Sequence, residues 1–214
     1  MSNLNSLLQF SKIESLGYDT IYLEKPVSNI IDFDWKKILD APFSNTSSST
    51  INELRLISSE TQKRTESDIE LVHLIDEDLD YYFIQLMRSY NLEYPEELIN
   101  NFYSIVRPLI LNVKMLFNRP RPVQLAKFYN INIDIIQTDT HHTASYPSGH
   151  TVYSSLVSNI IKDKYPKINR QKLDNIVNLT AKARVLQGVH FPSDNKASIK
   201  FSNYVYNKLK DKIL

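Results

Sequence analysis

The sequence contains no cysteine, which removes disulfide frameworks, thiolate metal sites and cysteine nucleophiles from consideration. That absence suits a reducing compartment. Net charge is nearly absent too, since 25 basic and 24 acidic residues leave +1. So even a balance provides no global field to draw nucleic acid or an anionic membrane, and any anion recognition has to come from a local cluster. No apolar run reaches the roughly 20 residues of a membrane span, and the most apolar stretch, YSIVRPLILNVKMLF, is interrupted by Arg107 and Lys114. The N-terminal MSNLNSLLQFSKIESLGYD lacks the basic start and apolar core of a signal peptide. These absences predict a soluble, cytoplasmic protein with no integral membrane segment and no nucleic-acid partner. Glycine is also scarce, with residues only at 17, 149 and 188.

What is present reads as one helical domain. Apolar residues at 42% and charged residues at 23% are ordinary for a globular chain, and 214 residues can fill one core. The polar run SNTSSST at 44–50 ends in Thr50, with Glu53 three positions on, a capping box that places a helix start near 51. Residues 1–50 are therefore expected to be an extension packed on a domain spanning 51–214. Apolar residues recur in steps of three and four from Ile69 through Leu79 and Phe83 to Tyr90, predicting one amphipathic helix. Pro95, Glu96 and Glu97 open another, apolar around most of its girth from Leu98 to Phe117 and so expected to be the central, buried helix. Pro108 should kink it, and Pro120 and Pro122 should stop it. Further helices follow from Val152 to Ile161, from Leu173 to Arg184 and from Ala197 to Leu209. The alternating INIDIIQ at 131–137 has no partner strand. The fold class is all-α, a helical bundle without internal repeats.

Two cations interrupt this pattern. Lys114 continues the apolar row of Ile99, Tyr103, Val106 and Ile110, and Arg184 continues the stripe that starts at Leu173. A buried cation needs a counter-charge, either a carboxylate or a bound anion. Three segments collect the relevant chemistry. KMLFNRPRP carries Lys114 and Arg121 followed by Pro122; YPSGHT carries Pro147, Ser148, Gly149 and His150; RVLQGVHFPSD carries Arg184, His190 and Asp194.

These ten residues at fixed spacing, across about 80 of the 214 positions, resemble the three-part signature of the type 2 phosphatidic acid phosphatase superfamily. That superfamily includes bacterial class A acid phosphatases and vanadium haloperoxidases. Upstream, PFSNTSSSTINEL and TQKRTESDIE resemble the region before the first motif in soluble members. One departure stands out: Ala183 occupies the place of the serine that usually precedes the arginine of the third motif.

The resemblance implies the fold of that superfamily and a metal-independent phosphatase acting on phosphate monoesters or pyrophosphates. His190 would be the nucleophile, Asp194 would fix its tautomer, and His150 would be general acid and then general base. Lys114, Arg121 and Arg184 would hold the phosphoryl oxygens, the arginines bidentately. Glycine at 149 would let the amides of Ser148 and Gly149 approach the phosphate at a helix start, with the Ser148 hydroxyl as a further donor. Arg184 and His190 lie about 600° apart on an ideal helix, so the chain should bend between them, at Gly188. A phosphate next to His150 should raise its pKa, implying an acid-shifted optimum. No cofactor is implied, with vanadate an inhibitor, or the cofactor if the chain is instead a haloperoxidase. Phosphotransfer to another acceptor and anion binding without turnover stay open, as do the identity of the small phosphorylated substrate and assembly as a homo-oligomer.

Other features are assigned no chemistry. His141 and His142 are read as loop histidines whose side chains point apart. The acids of HLIDEDLD at 73–80 are read as a solvated helix face with His73 at its edge, and the thirteen tyrosines as packing.

Overall fold

The structure, a computed structural model, describes residues 9–17 and 38–213. Among these the regular elements are all helical, and no strand forms. Besides helical residues at 9–14, they are in chain order α1 (Ser48–Gln62), α2 (Glu66–Glu77), α3 (Tyr81–Ser89), α4 (Glu96–Phe117), α5 (Pro122–Ala126), a 3₁₀ turn (Lys127–Tyr129), α6 (Gly149–Lys164), α7 (Arg170–Leu186) and α8 (Pro192–Ile213).

Local chemistry explains where they begin and end. Helix α1 starts earlier than the Thr50 box predicts: Ser47 is the cap, accepting from the Thr50 amide at 3.2 Å, while the Thr50 hydroxyl donates to the Ser44 carbonyl. Glu53 is thereby released for a contact elsewhere. The single helix expected from Ile69 to Tyr90 is two, because the Asp78 carboxylate takes the Asp80 amide at 3.1 Å and turns the chain. Asp80 then accepts the hydroxyls of Tyr94 (2.6 Å) and Tyr153 (2.8 Å). Helix α4 runs through Pro108 and ends at Asn118, which adopts φ 41°.

The central helix is α6, not α4 as the sequence pattern predicts. From Thr151 to Ile161 every residue of α6 is buried except Asn159, whereas α4 exposes Ser104, Arg107 and Leu116. Serine explains the discrepancy. Ser154, Ser155 and Ser158 are polar by type but small, and they let α6 pack closely on α7 and α8, its most extensive partners. Their chemistry is partly met inside the core, where Thr180 donates to Ser154 at 3.1 Å and Thr151 to Asn195 at 2.8 Å. The apolar core joins Val106, Leu109 and Val113 of α4 with Val152, Leu156 and Ile160 of α6 and Phe201 and Val205 of α8. A second cluster seats Ile13 against Leu54 and Ile57 of α1, and Asn45 holds that segment through the Ile13 and Leu16 carbonyls, both at 3.0 Å.

Candidate active site

The second half of α4, the Arg119–Arg121 turn, the start of α6 and the α7–α8 connection converge on one cavity of about 320 Å³. Lys114, Arg121, Gly149, His150 and His190 all line it. Gly188 makes the convergence possible. Its φ of +84° turns the chain between Arg184 and His190, and an added Cβ would lie 2.9 Å from Ile133 Cγ2. INIDIIQ thus packs against this bend without forming a strand, with the Ile136 amide donating to the Gln187 carbonyl at 3.1 Å.

His190 is buried and engaged at both nitrogens. Arg121 Nη1 lies 2.9 Å from Nε2, and Asp194 Oδ2 lies 3.3 Å from Nδ1. A guanidinium can only donate, so Nε2 is the acceptor and the proton sits on Nδ1, pointing at Asp194. Asp194, in the first turn of α8, is fully enclosed and accepts from Ser145 Oγ (2.5 Å), the Phe191 amide (2.9 Å) and Arg119 Nη1 (2.6 Å). Burial, then the positive charges of Arg121, Lys114 and Arg184, push the His190 pKa well below the usual histidine value. Neutral imidazole with Nε2 as acceptor is the form a nucleophile requires.

Lys114 is 4% exposed and donates to the Ala144 carbonyl. Burial and the nearby Arg121 charge drive its pKa far below that of an ordinary lysine, with Asp194 opposing. An anion in the cavity would offset that lowering by its opposite charge. Arg121 is fixed by the Thr143 and Val189 carbonyls, each at 2.8 Å.

Arg184 lies behind this group. Its Nη1 meets Asp76 Oδ1 at 2.6 Å, its Nη2 lies 3.2 Å from Thr140 Oγ1, and its buried Nε has no hydrogen-bond partner among the described residues. His150 Nε2 stands 3.5 Å from the same Asp76 oxygen. Burial opposes ionisation of Asp76, but hydrogen bonds from His150, Thr140 and Arg184 outweigh it and hold the carboxyl well below the usual range. The His150 pKa is pushed down to about 4, by burial first and by the Arg184 charge second.

Several expectations change at this point. Ser148 is not turned to the cavity: its amide donates to Ser198 Oγ at 2.8 Å and its hydroxyl accepts from Thr151 as the α6 cap. The amide expected to approach phosphate is thereby used inside the protein, and the hydroxyl, expected as a donor, is buried away from the cavity lining and serves as an acceptor. Gly149 does face open space, with nothing within 4 Å of an added Cβ. Ala183 packs with Val72, Ile75 and Leu186, an apolar site where a serine hydroxyl would gain nothing. The rings of His141 and His142 do not point apart but stack, with centroids 5.4 Å apart. No cluster of three or more potential metal ligands occurs among the described residues.

Two residues escaped the sequence reading. Asp76 belongs to the acids taken as a solvated face, of which Glu77 and Asp78 are indeed exposed. Its position was legible, because it falls four residues after buried Val72 and three before Leu79, on the apolar stripe. Arg119 had no such signal. It is 2% exposed, stacks 3.8 Å over the Phe191 ring and joins Asp194 to Ser193 (2.8 Å) and Glu53 (3.3 Å). Glu53 completes the brace by accepting from the Ser193 amide at 2.6 Å.

Comparison with known proteins agrees with this arrangement. The PAP2 superfamily profile matches residues 98–205, half of the chain, and takes in all three motif segments. No curated protein matches the chain. Among solved structures, a transmembrane PAP2-type phosphatidylglycerolphosphate phosphatase from Bacillus subtilis is similar in fold, with a TM-score of 0.51 at 16% identity, covering 79% of this chain and 90% of that one. Unlike that neighbour's description, no helix among the described residues here is long and apolar enough to cross a membrane. With its three motifs converging on one cavity and a family match across half its length, this chain belongs to the PAP2 superfamily.

Proposed function

We propose that the protein is a metal-independent phosphatase that hydrolyses phosphate monoesters or pyrophosphates through a phosphohistidine at His190. Membership of the PAP2 superfamily supports a phosphatase-type function. The observation that carries the mechanism is the double engagement of His190, with Nδ1–H on Asp194 and Nε2 held as an acceptor at the cavity by Arg121.

In this reading Nε2 attacks phosphorus as the bond to the leaving oxygen breaks, and protonated His150 gives that oxygen its proton. Neutral His150 then takes a proton from water, which attacks the phosphohistidine, breaks the P–N bond and releases phosphate. Lys114, Arg121 and Arg184 stabilise the equatorial oxygens, with Arg121 moving from Nε2 to the phosphoryl group. The unpartnered Arg184 Nε is one donor such a ligand would satisfy. The Gly149 end of α6 adds a positive helix terminus open to the cavity.

The test is hydrolysis of an aryl phosphate with and without a chelator, together with acid-quench trapping of labelled protein. Activity should survive chelation, be inhibited competitively by vanadate and vanish in His190→Ala, while His150→Ala should retain labelling from an activated leaving group. Halide oxidation appearing only after vanadate loading, or full activity in His190→Ala, would overturn the proposal.

A further inference from the structure

The cavity has one long wall from a single helix. Tyr103, Arg107, Ile110, Leu111 and Lys114 of α4 all line it. Arg107 and Lys114 are seven residues apart, which on an α-helix is about 10 Å of rise and within about 20° of the same direction. Lys114 is buried, so it marks the floor, whereas Arg107 is exposed and marks the mouth. Between them the wall is Ile110 and Leu111, with Leu79 also lining the cavity. A ligand whose phosphate rests on Lys114 therefore crosses an apolar stretch before it meets the next charge.

We propose that Arg107 is an outer anion subsite, so that the preferred ligand is a phosphate ester bearing a second anionic group several bonds from the first phosphorus. The inference rests on the cavity being the phosphate site proposed above. A guanidinium suits the role because it offers paired donors to a phosphate or carboxylate. Tyr103 supports the placement. It also lines the cavity, its ring is held edge-on to Tyr153 at 4.8 Å, and it precedes Arg107 by one turn on the same face of α4. A rim charge is partly screened, so its effect should be moderate and should weaken with salt.

The test uses non-hydrolysable alkylphosphonates with a common three-carbon spacer whose far end is methyl, carboxylate or a second phosphonate. Binding is read by calorimetry, so the result does not depend on turnover. The wild-type protein should bind the two-anion ligands about tenfold more tightly than the methyl-ended one at low salt, consistent with one charge-assisted contact. Arg107→Ala should erase that preference while changing affinity for the methyl-ended phosphonate less than about twofold, and Arg107→Lys should keep part of it. Whether carboxylate or phosphonate gains more identifies the second anion. A preference missing from the wild type, or surviving in Arg107→Ala, overturns the subsite alone. No phosphonate binding at all would sink the cradle and the subsite with it.

Discussion

Asp76 is the residue on which two functional groups depend, because one carboxylate oxygen faces both Arg184 and His150. Removing its charge should affect the two in different ways. Asp76 raises the His150 pKa against the stronger lowering by burial and Arg184, so without it the imidazole becomes harder to protonate. In Asp76→Asn the limb of kcat/KM that reports His150 should therefore move to lower pH, with acid still favouring activity. A profile that keeps its shape and only scales down would show that Asp76 serves Arg184 alone. Legibility differed among such residues for a physical reason. Lys114 and Arg184 were conspicuous because a cation on an apolar row needs a counter-charge, which for Arg184 the structure supplies in Asp76. Asp76 stood on a comparable row but was hidden among exposed acids of the same type. Arg119 lies between Asn118 and Pro120, outside any helix, where periodicity carries no information about burial.

At the level of elements, the two glycines of the motifs have opposite jobs and should respond oppositely to the same change. Gly188 holds φ +84° with Ile133 against it, so Gly188→Ala should lose about 1–3 kcal/mol of stability in urea unfolding and misplace His190 relative to Arg184. Gly149 opens α6 at a non-strained position with empty space beyond. Gly149→Ala should leave stability unchanged or raise it by up to about 1 kcal/mol, yet raise KM, since the methyl would stand on the side of the cavity proposed for phosphate. Destabilisation by Gly149→Ala with unchanged KM would contradict this division. Most helices could be read from spacing, because three-and-four periodicity survives whatever packs against it. The break at Asp78 could not, since the apolar phase continues across it from Ile75 to Leu79 and Phe83. The central place of α6 was also concealed, because composition counts Ser154, Ser155 and Ser158 as polar while packing treats them as small.

For the whole molecule, the cavity collects Lys114 and Arg121 around a buried histidine, with Arg184 outside its lining, an arrangement that the proposed function reads as a site for an anion. This sets how ligand-free stability depends on pH. His150 is held at about 4 in the folded protein, below the roughly 6.5 of an unfolded histidine, and His190 is displaced in the same direction. Both resist protonation when folded, so their contribution is complete above about pH 6.5 and is lost as pH falls toward 4. For His150 alone the loss is about 3 kcal/mol. Asp76, depressed in its turn, loses its own contribution only below the ordinary carboxylate range. An anion on the cradle raises the histidine pKa values and should cancel much of the loss. Thermal unfolding between pH 4 and 7 should thus show a falling Tm in dilute chloride and a flatter one in about 10 mM sulfate at matched ionic strength, because sulfate stays doubly charged throughout that range. His150→Gln should shrink the difference between the two salts. A chloride Tm that stays level from pH 6.5 to 4, or falls equally in sulfate, would mean that the cations are balanced within the protein and that the cavity is not built around an anion.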